Sequence, residues 1–86
     1  MLKIYGSMLC PDCVACCVEL TKAGVKYEFL DFADDLRSLK EFLSIREREP
    51  LFLEVRQNGS IGIPCIVEPD GIVSLTWDQY VTQADA

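Results

Sequence analysis

Between Leu2 and Phe32 a strand pattern, a helix pattern and a second strand pattern follow one another, and that succession constrains the fold more than any other feature of the chain. Leu2-Lys3-Ile4-Tyr5 is a short run with β-branched and aromatic members that breaks at Gly6-Ser7, so it reads as a strand entering a loop. Pro11 suits a first helical position and Asp12 a first turn. The apolar run Val14, Ala15, Cys16, Cys17, Val18 and Leu20 then carries a helix to Ala23-Gly24, where Gly24 stops it. Val25 to Phe32 alternates apolar and polar over most of its length, the period of a half-buried strand. Two strands joined by a helix pair in parallel through a right-handed crossover.

The remainder completes one small domain. Asp34 or Asp35 caps a second helix whose apolar positions are Leu36, Leu39, Phe42, Leu43 and Ile45, with Arg46-Glu47-Arg48-Glu49 as its solvated end. Pro50 interrupts it, and Leu51 to Gln57, bounded by Asn58-Gly59, reads as a short extra helix. Gly62 to Glu68, the turn Pro69-Asp70-Gly71, and Ile72 to Leu75 make a β-hairpin, and a last helix starts around Thr76. The order βαβα(α)ββα predicts an α/β fold: a mixed four-stranded sheet flanked by helices, in a single domain over residues 1–86. A chain of 86 residues, half of them apolar, buries about 60–65% of its unfolded surface in one core and has no room for a second.

Charge narrows the partners. Fourteen acidic side chains against eight basic ones give a net charge of −6, which argues against nucleic acid and anionic membrane surfaces. No stretch approaches the roughly 20 apolar residues of a membrane span, and Met1 to Gly6 is too short for a secretory signal, so a cytoplasmic location is expected. Five cysteines, an odd number with four of them between Cys10 and Cys17, cannot form a long-range disulfide framework. Reactive or metal-binding thiols fit better, and the absence of histidine removes any Cys-His pair.

Cys10-Pro11-Asp12-Cys13 falls directly between the first strand and the first helix. Residues three apart on a helix lie about 5–6 Å apart, inside the span of about 4.4–6.8 Å between Cα atoms that a disulfide bridges. Cys10, at the N-cap, faces unpaired backbone N–H groups and the positive end of the helix dipole, which favour an anionic sulfur there. Asp12 opposes this weakly from solvent. Cys13, one turn inside, holds its proton more tightly, so Cys10 is the expected attacking thiol and Cys13 the resolving one, with Pro11 and Asp12 as the active-site loop.

With the Cys10-Pro11-Asp12-Cys13 motif after a strand, Ile63-Pro64 opening the third strand, and a hairpin and final helix after it, the chain resembles the glutaredoxins, a branch of the thioredoxin-like fold family, over nearly its whole length. The resemblance implies a glutaredoxin-type βαβαββα fold, a cis Ile63-Pro64 bond opposite the active-site cysteine, and substrate pairing with the Ile63 backbone like an added strand. It also implies a dithiol thiol–disulfide oxidoreductase acting on disulfides of proteins or small molecules, with no tightly bound cofactor. Glutathione and a flavoprotein disulfide reductase both remain as electron donors.

The departures concern glutathione. Where family members carry a Lys three residues before the first Cys, an Arg or Gln ahead of the cis-Pro dipeptide and a Gly-Gly pair before the last helix, this chain has Ser7, Ser60-Ile61 and Ser74-Leu75. Asp78 alone matches an acidic position the family often has near the start of that helix. Backbone N–H groups of Thr76 and Trp77 are what remains to hold a carboxylate. These departures favour the flavoprotein reductase as donor.

The other thiols have plainer readings. Cys16 is a core residue, and Cys17 is expected to be partly exposed. Cys65 is a candidate accessory thiol, although strand alternation turns its side chain away from the substrate-facing Ile63 backbone. Trp77 and Tyr80 fix the last helix to the sheet. A metal module, with Cys10 and Cys13 joined by Cys65 or by a second copy to hold zinc or an iron–sulfur cluster, and a non-catalytic thiol sensor are the alternatives.

Overall fold

The computed structural model describes residues 1–85. Its elements are β1 (Leu2–Gly6), α1 (Pro11–Lys22), β2 (Tyr27–Asp31), α2 (Leu36–Arg48), a 3₁₀ turn (Pro50–Phe52), α3 (Leu53–Asn58), β3 (Cys65–Val67), β4 (Val73–Ser74) and α4 (Asp78–Asp85). They form one four-stranded sheet in the order β2-β1-β3-β4. β1 pairs in parallel with β2, from Leu2 with Tyr27 to Gly6 with Asp31, and antiparallel with β3, from Lys3 with Val67 to Tyr5 with Cys65. The β3–β4 hairpin closes through Gly71 N–H donating to Glu68 O (2.8 Å).

Because β1 lies between two neighbours, its alternating side chains feed two cores. Leu2 and Ile4 pack with Cys16, Leu20, Ile66 and Tyr80 under α1 and α4, and Trp77 joins this cluster. Tyr5 and Cys65 pack with Phe42, Ile45 and Phe52 on the other face. Phe42 anchors that second core through ring contacts to Phe32 (5.2 Å) and Phe52 (6.0 Å). Two buried phenols tie sheet to periphery: Tyr5 donates to Glu41 and Tyr80 to Glu68, each at 2.8 Å. No helix among the described residues is long and apolar enough to cross a membrane.

Several boundaries and faces differ from the sequence reading. α2 is capped by Asp35, whose Oδ1 accepts from Arg37 N–H (2.8 Å). Its buried line is Ser38, Phe42 and Ile45, spaced four and three apart, while Leu36 and Leu43 lie outside it and are exposed. The expected Leu51 to Gln57 helix is a 3₁₀ turn passing into α3, ended by Gly59 at φ 71°. β3 begins only at Cys65, since Pro64 has no N–H to give the ladder. α4 starts at Asp78 rather than Thr76, because its first turn closes on Trp77 O, which accepts from Tyr80 and Val81.

Candidate active site

The carboxyl ends of β1 and β2 and the amino end of β3 meet at one edge of the sheet, and the first pair of cysteines lies there. Gly6 ends β1, and the chain turns as Cys10 N–H donates to Ser7 O (3.0 Å), with Ser7 Oγ accepting from Leu9 N–H (3.1 Å). This turn delivers Cys10 to the N-cap of α1 in an extended backbone (φ −93°, ψ 120°), Pro11 following at the first helical position. Cys10 makes no side-chain cap bond, and its carbonyl accepts the first helical N–H, that of Val14 (3.2 Å). Cys10 thus stands at the end of α1 where the backbone N–H groups of the first turn lack helical partners and the dipole is positive. Cys10 is half-buried, the other four cysteines are buried, and all five are free thiols.

Cys13 is wholly inaccessible to solvent. Burial pushes its thiol up to about 12, with the Ser7 backbone opposing the rise and the neighbouring Cys10 thiol acting with it. The sulfur sits where Gly6 has no side chain: a Cβ built on Gly6 would lie 2.6 Å from Cys13 Sγ. Gly6 is thus a site residue that the sequence reading passed over, taking it only as a strand stop.

The Ile63-Pro64 bond is cis, as the sequence resemblance implied. Continuing the β1–β3 register one step past Tyr5 and Cys65 sets Pro64 opposite Gly6, the residue beneath Cys13. The approach to Pro64 is braced from below. Arg46 Nε donates to Ile61 O (3.1 Å) and Nη2 to Ser60 O (2.7 Å), so Arg46 is not the solvated helix end read from the sequence. Gly62, at φ 91°, lies so close to the Phe52 ring that a Cβ there would fall 2.6 Å from it. Arg46 escaped the sequence reading because its partners are carbonyls 14 and 15 residues away.

The other expected residues are placed as follows. Thr76 N–H is taken by Ser74 Oγ (3.2 Å) and Thr76 Oγ1 donates to Gln79 (2.9 Å), while Trp77 packs on the first core. Cys16 is in that core, its thiol pushed up to about 12 by burial. Cys17 is buried rather than partly exposed, and the Tyr27 hydroxyl, reaching across from β2, donates to its carbonyl (3.2 Å). Cys65 shares the sheet face of its cross-strand partner Tyr5, opposite the face on which Cys13 meets Gly6, so the structure does not bring it to the pair. Among the described residues no group of three or more Cys, Asp or Glu side chains is arranged to hold a metal ion.

Met8 and Leu9 leave an apolar lip beside Cys10, Leu9 being 92% exposed. Segments 7–12, 60–64 and 74–77 contain no Lys or Arg. No family model matches the chain, and no solved structure does. A protein of Haemophilus influenzae called "Uncharacterized protein" is 35% identical to it over 72 residues, which span 84% of each chain. The chain belongs to one family with that Haemophilus protein.

Proposed function

We propose that this chain is a dithiol thiol–disulfide oxidoreductase with a thioredoxin-like fold of the glutaredoxin type. One observation carries the reading: a half-buried Cys10 at the N-cap of a helix, with a wholly buried Cys13 one turn further on the same helix. The sheet order β2-β1-β3-β4, with one parallel pair and a core on each face, supports the fold assignment.

In the proposed cycle the Cys10 thiolate attacks one sulfur of a substrate disulfide. The S–S bond breaks, the leaving thiolate takes a proton from solvent, and Cys10 is left in a mixed disulfide. Cys13 then loses its proton and attacks Cys10 Sγ, releasing the second substrate thiol and forming the Cys10–Cys13 disulfide. Two electrons have passed to the substrate, and a thiol donor, glutathione or a flavoprotein disulfide reductase, returns them. The Ile63 backbone, lying beyond the β1–β3 ladder, is the edge on which a substrate strand pairs.

The test is reduction of insulin disulfides by the purified protein, coupled in parallel to glutathione with its reductase and to a flavoprotein disulfide reductase. Turnover that requires Cys10 and Cys13 with either donor supports the reading, and no turnover with both refutes it.

A further inference from the structure

Asp31 closes β2, and it ties the turn that follows this strand to the turn that leads into Cys10. Its Oδ2 accepts from Met8 N–H (3.4 Å), inside the Ser7–Cys10 turn, and its Oδ1 accepts from Ala33 N–H (2.9 Å). Its carbonyl accepts from Asp34 (3.1 Å) and Asp35 (3.3 Å), and the next residue, Phe32, donates to Gly6 O (3.0 Å). The Met8 contact joins segments 23 residues apart, so it is a tertiary tie and not a local turn bond.

We propose that Asp31 is a positioning residue for Cys10: its carboxylate holds the Ser7–Cys10 turn to the end of β2 and thereby keeps the attacking sulfur at the N-cap of α1. The proposal rests on the reading of Cys10 as the attacking thiol. The physical reason is that Leu9 is 92% exposed and Met8 46%, so the turn has little packing and leans on its hydrogen bonds. A carboxylate is the acceptor that serves two N–H groups in different directions at once. Without it the turn keeps its internal bonds to Ser7 but loses this side-chain tie to β2, and a reacting sulfur displaced by even an ångström leaves its attack geometry.

Asp31→Ala and Asp31→Asn both remove the charge, but Asn keeps one acceptor oxygen, so the difference between them reports the hydrogen bonding alone. The readouts are the rate at which iodoacetamide alkylates Cys10 in reduced full-length protein, mapped by peptide mass, and kcat and KM for insulin reduction. Asp31→Asn is expected to exceed Asp31→Ala in alkylation rate and kcat by about fivefold, the equivalent of one net hydrogen bond. Asp70→Ala, which removes a similar turn bond to Ile72 N–H (3.1 Å) in the distant β3–β4 hairpin, is expected to match the wild type. Equal rates for the two Asp31 variants, or a loss in Asp70→Ala as large as in Asp31→Ala, overturns the proposal. If Asp31→Ala does not fold, Asp31→Asn is compared with the wild type: a slower rate supports the proposal and an equal one overturns it. Should the wild type reduce no insulin, the oxidoreductase reading fails, while the alkylation comparison still decides the role of Asp31.

Discussion

Adding one methyl group at Gly6 tests whether the pair of cysteines depends on the strand beneath it. The Cβ of Gly6→Ala would stand 2.6 Å from Cys13 Sγ and 3.4 Å from the Phe29 ring. An ordinary contact needs about 3.5–4.0 Å, so the sulfur must retreat by roughly 1 Å. Cys13 has no free space into which to retreat, since it is wholly buried and Phe29 packs under the same helix. Overpacking of this kind costs about 1–3 kcal/mol, and each kcal/mol lowers the melting temperature of a domain this size by about 4–8 °C. Thermal and urea melts of Gly6→Ala, Cys13→Ala and the double variant measure it. Removing the sulfur should relieve the clash, so the cost of Gly6→Ala should shrink by at least about 1 kcal/mol in the Cys13→Ala background. The same shift should slow attack of Cys13 on Cys10, lengthening the life of a mixed disulfide. An equal cost in both backgrounds would refute the reasoning, because the strain would then arise elsewhere than at the sulfur.

Three further outcomes are expected. Cys13→Ser should trap substrates as stable mixed disulfides on Cys10; alkylation mapping that finds Cys13 the more reactive thiol in the wild type would reverse the two roles. Folding stability should fall above pH 9, because burial raises the Cys16 and Cys65 thiols from 9.0 to about 12. The folded chain holds those protons more tightly than the unfolded one, so the contribution is intact below pH 9 and lost as pH rises toward 12. At pH 10 this amounts to roughly 1 kcal/mol for each thiol, read from urea midpoints under reducing conditions, and a midpoint unchanged between pH 7.5 and 10 would contradict it. Glutathione should reduce the Cys10–Cys13 disulfide poorly, by about two to three orders of magnitude for two lost charge-assisted contacts. Arg46, the cation that touches segment 60–61, already spends Nε and Nη2 on its carbonyls. Efficient reduction at submillimolar glutathione and low salt would show those contacts to be dispensable.

Local chemistry was legible wherever neighbours in sequence are also neighbours in space. Pro11 and Asp12 announced the start of α1, Gly24 and Gly59 adopt the positive φ that ends a helix, and Pro69-Asp70-Gly71 makes its turn. Pro11 and Asp12 set Cys10 at the helix end, and the spacing of three then set Cys13 one turn inside, because helix geometry fixes that relation before any tertiary contact forms. The cis Ile63-Pro64 bond came from family resemblance, not from spacing.

What the chain could not disclose residue by residue are the relations between distant segments. Leu36 and Leu43 fit an apolar helix face, yet the line Ser38, Phe42 and Ile45 is the one turned to the sheet, because the direction of approach of α2 chooses among overlapping stripes. The Tyr27 hydroxyl bonds the Cys17 carbonyl, Arg46 reaches from α2 to the segment before Pro64, and Asp31 holds a turn 23 residues earlier. Cys65 and Cys13 both lie next to the central strand, but the pleat of β1 sends Tyr5 and Gly6 to opposite faces and separates the two thiols. Sequence determined which residues carry thiols and on which element each stands. Tertiary packing decided which sulfur lies over Gly6, which is sealed in a core and which backbone turns hold Cys10 in place, since those depend on side chains meeting across the sheet and not along the chain.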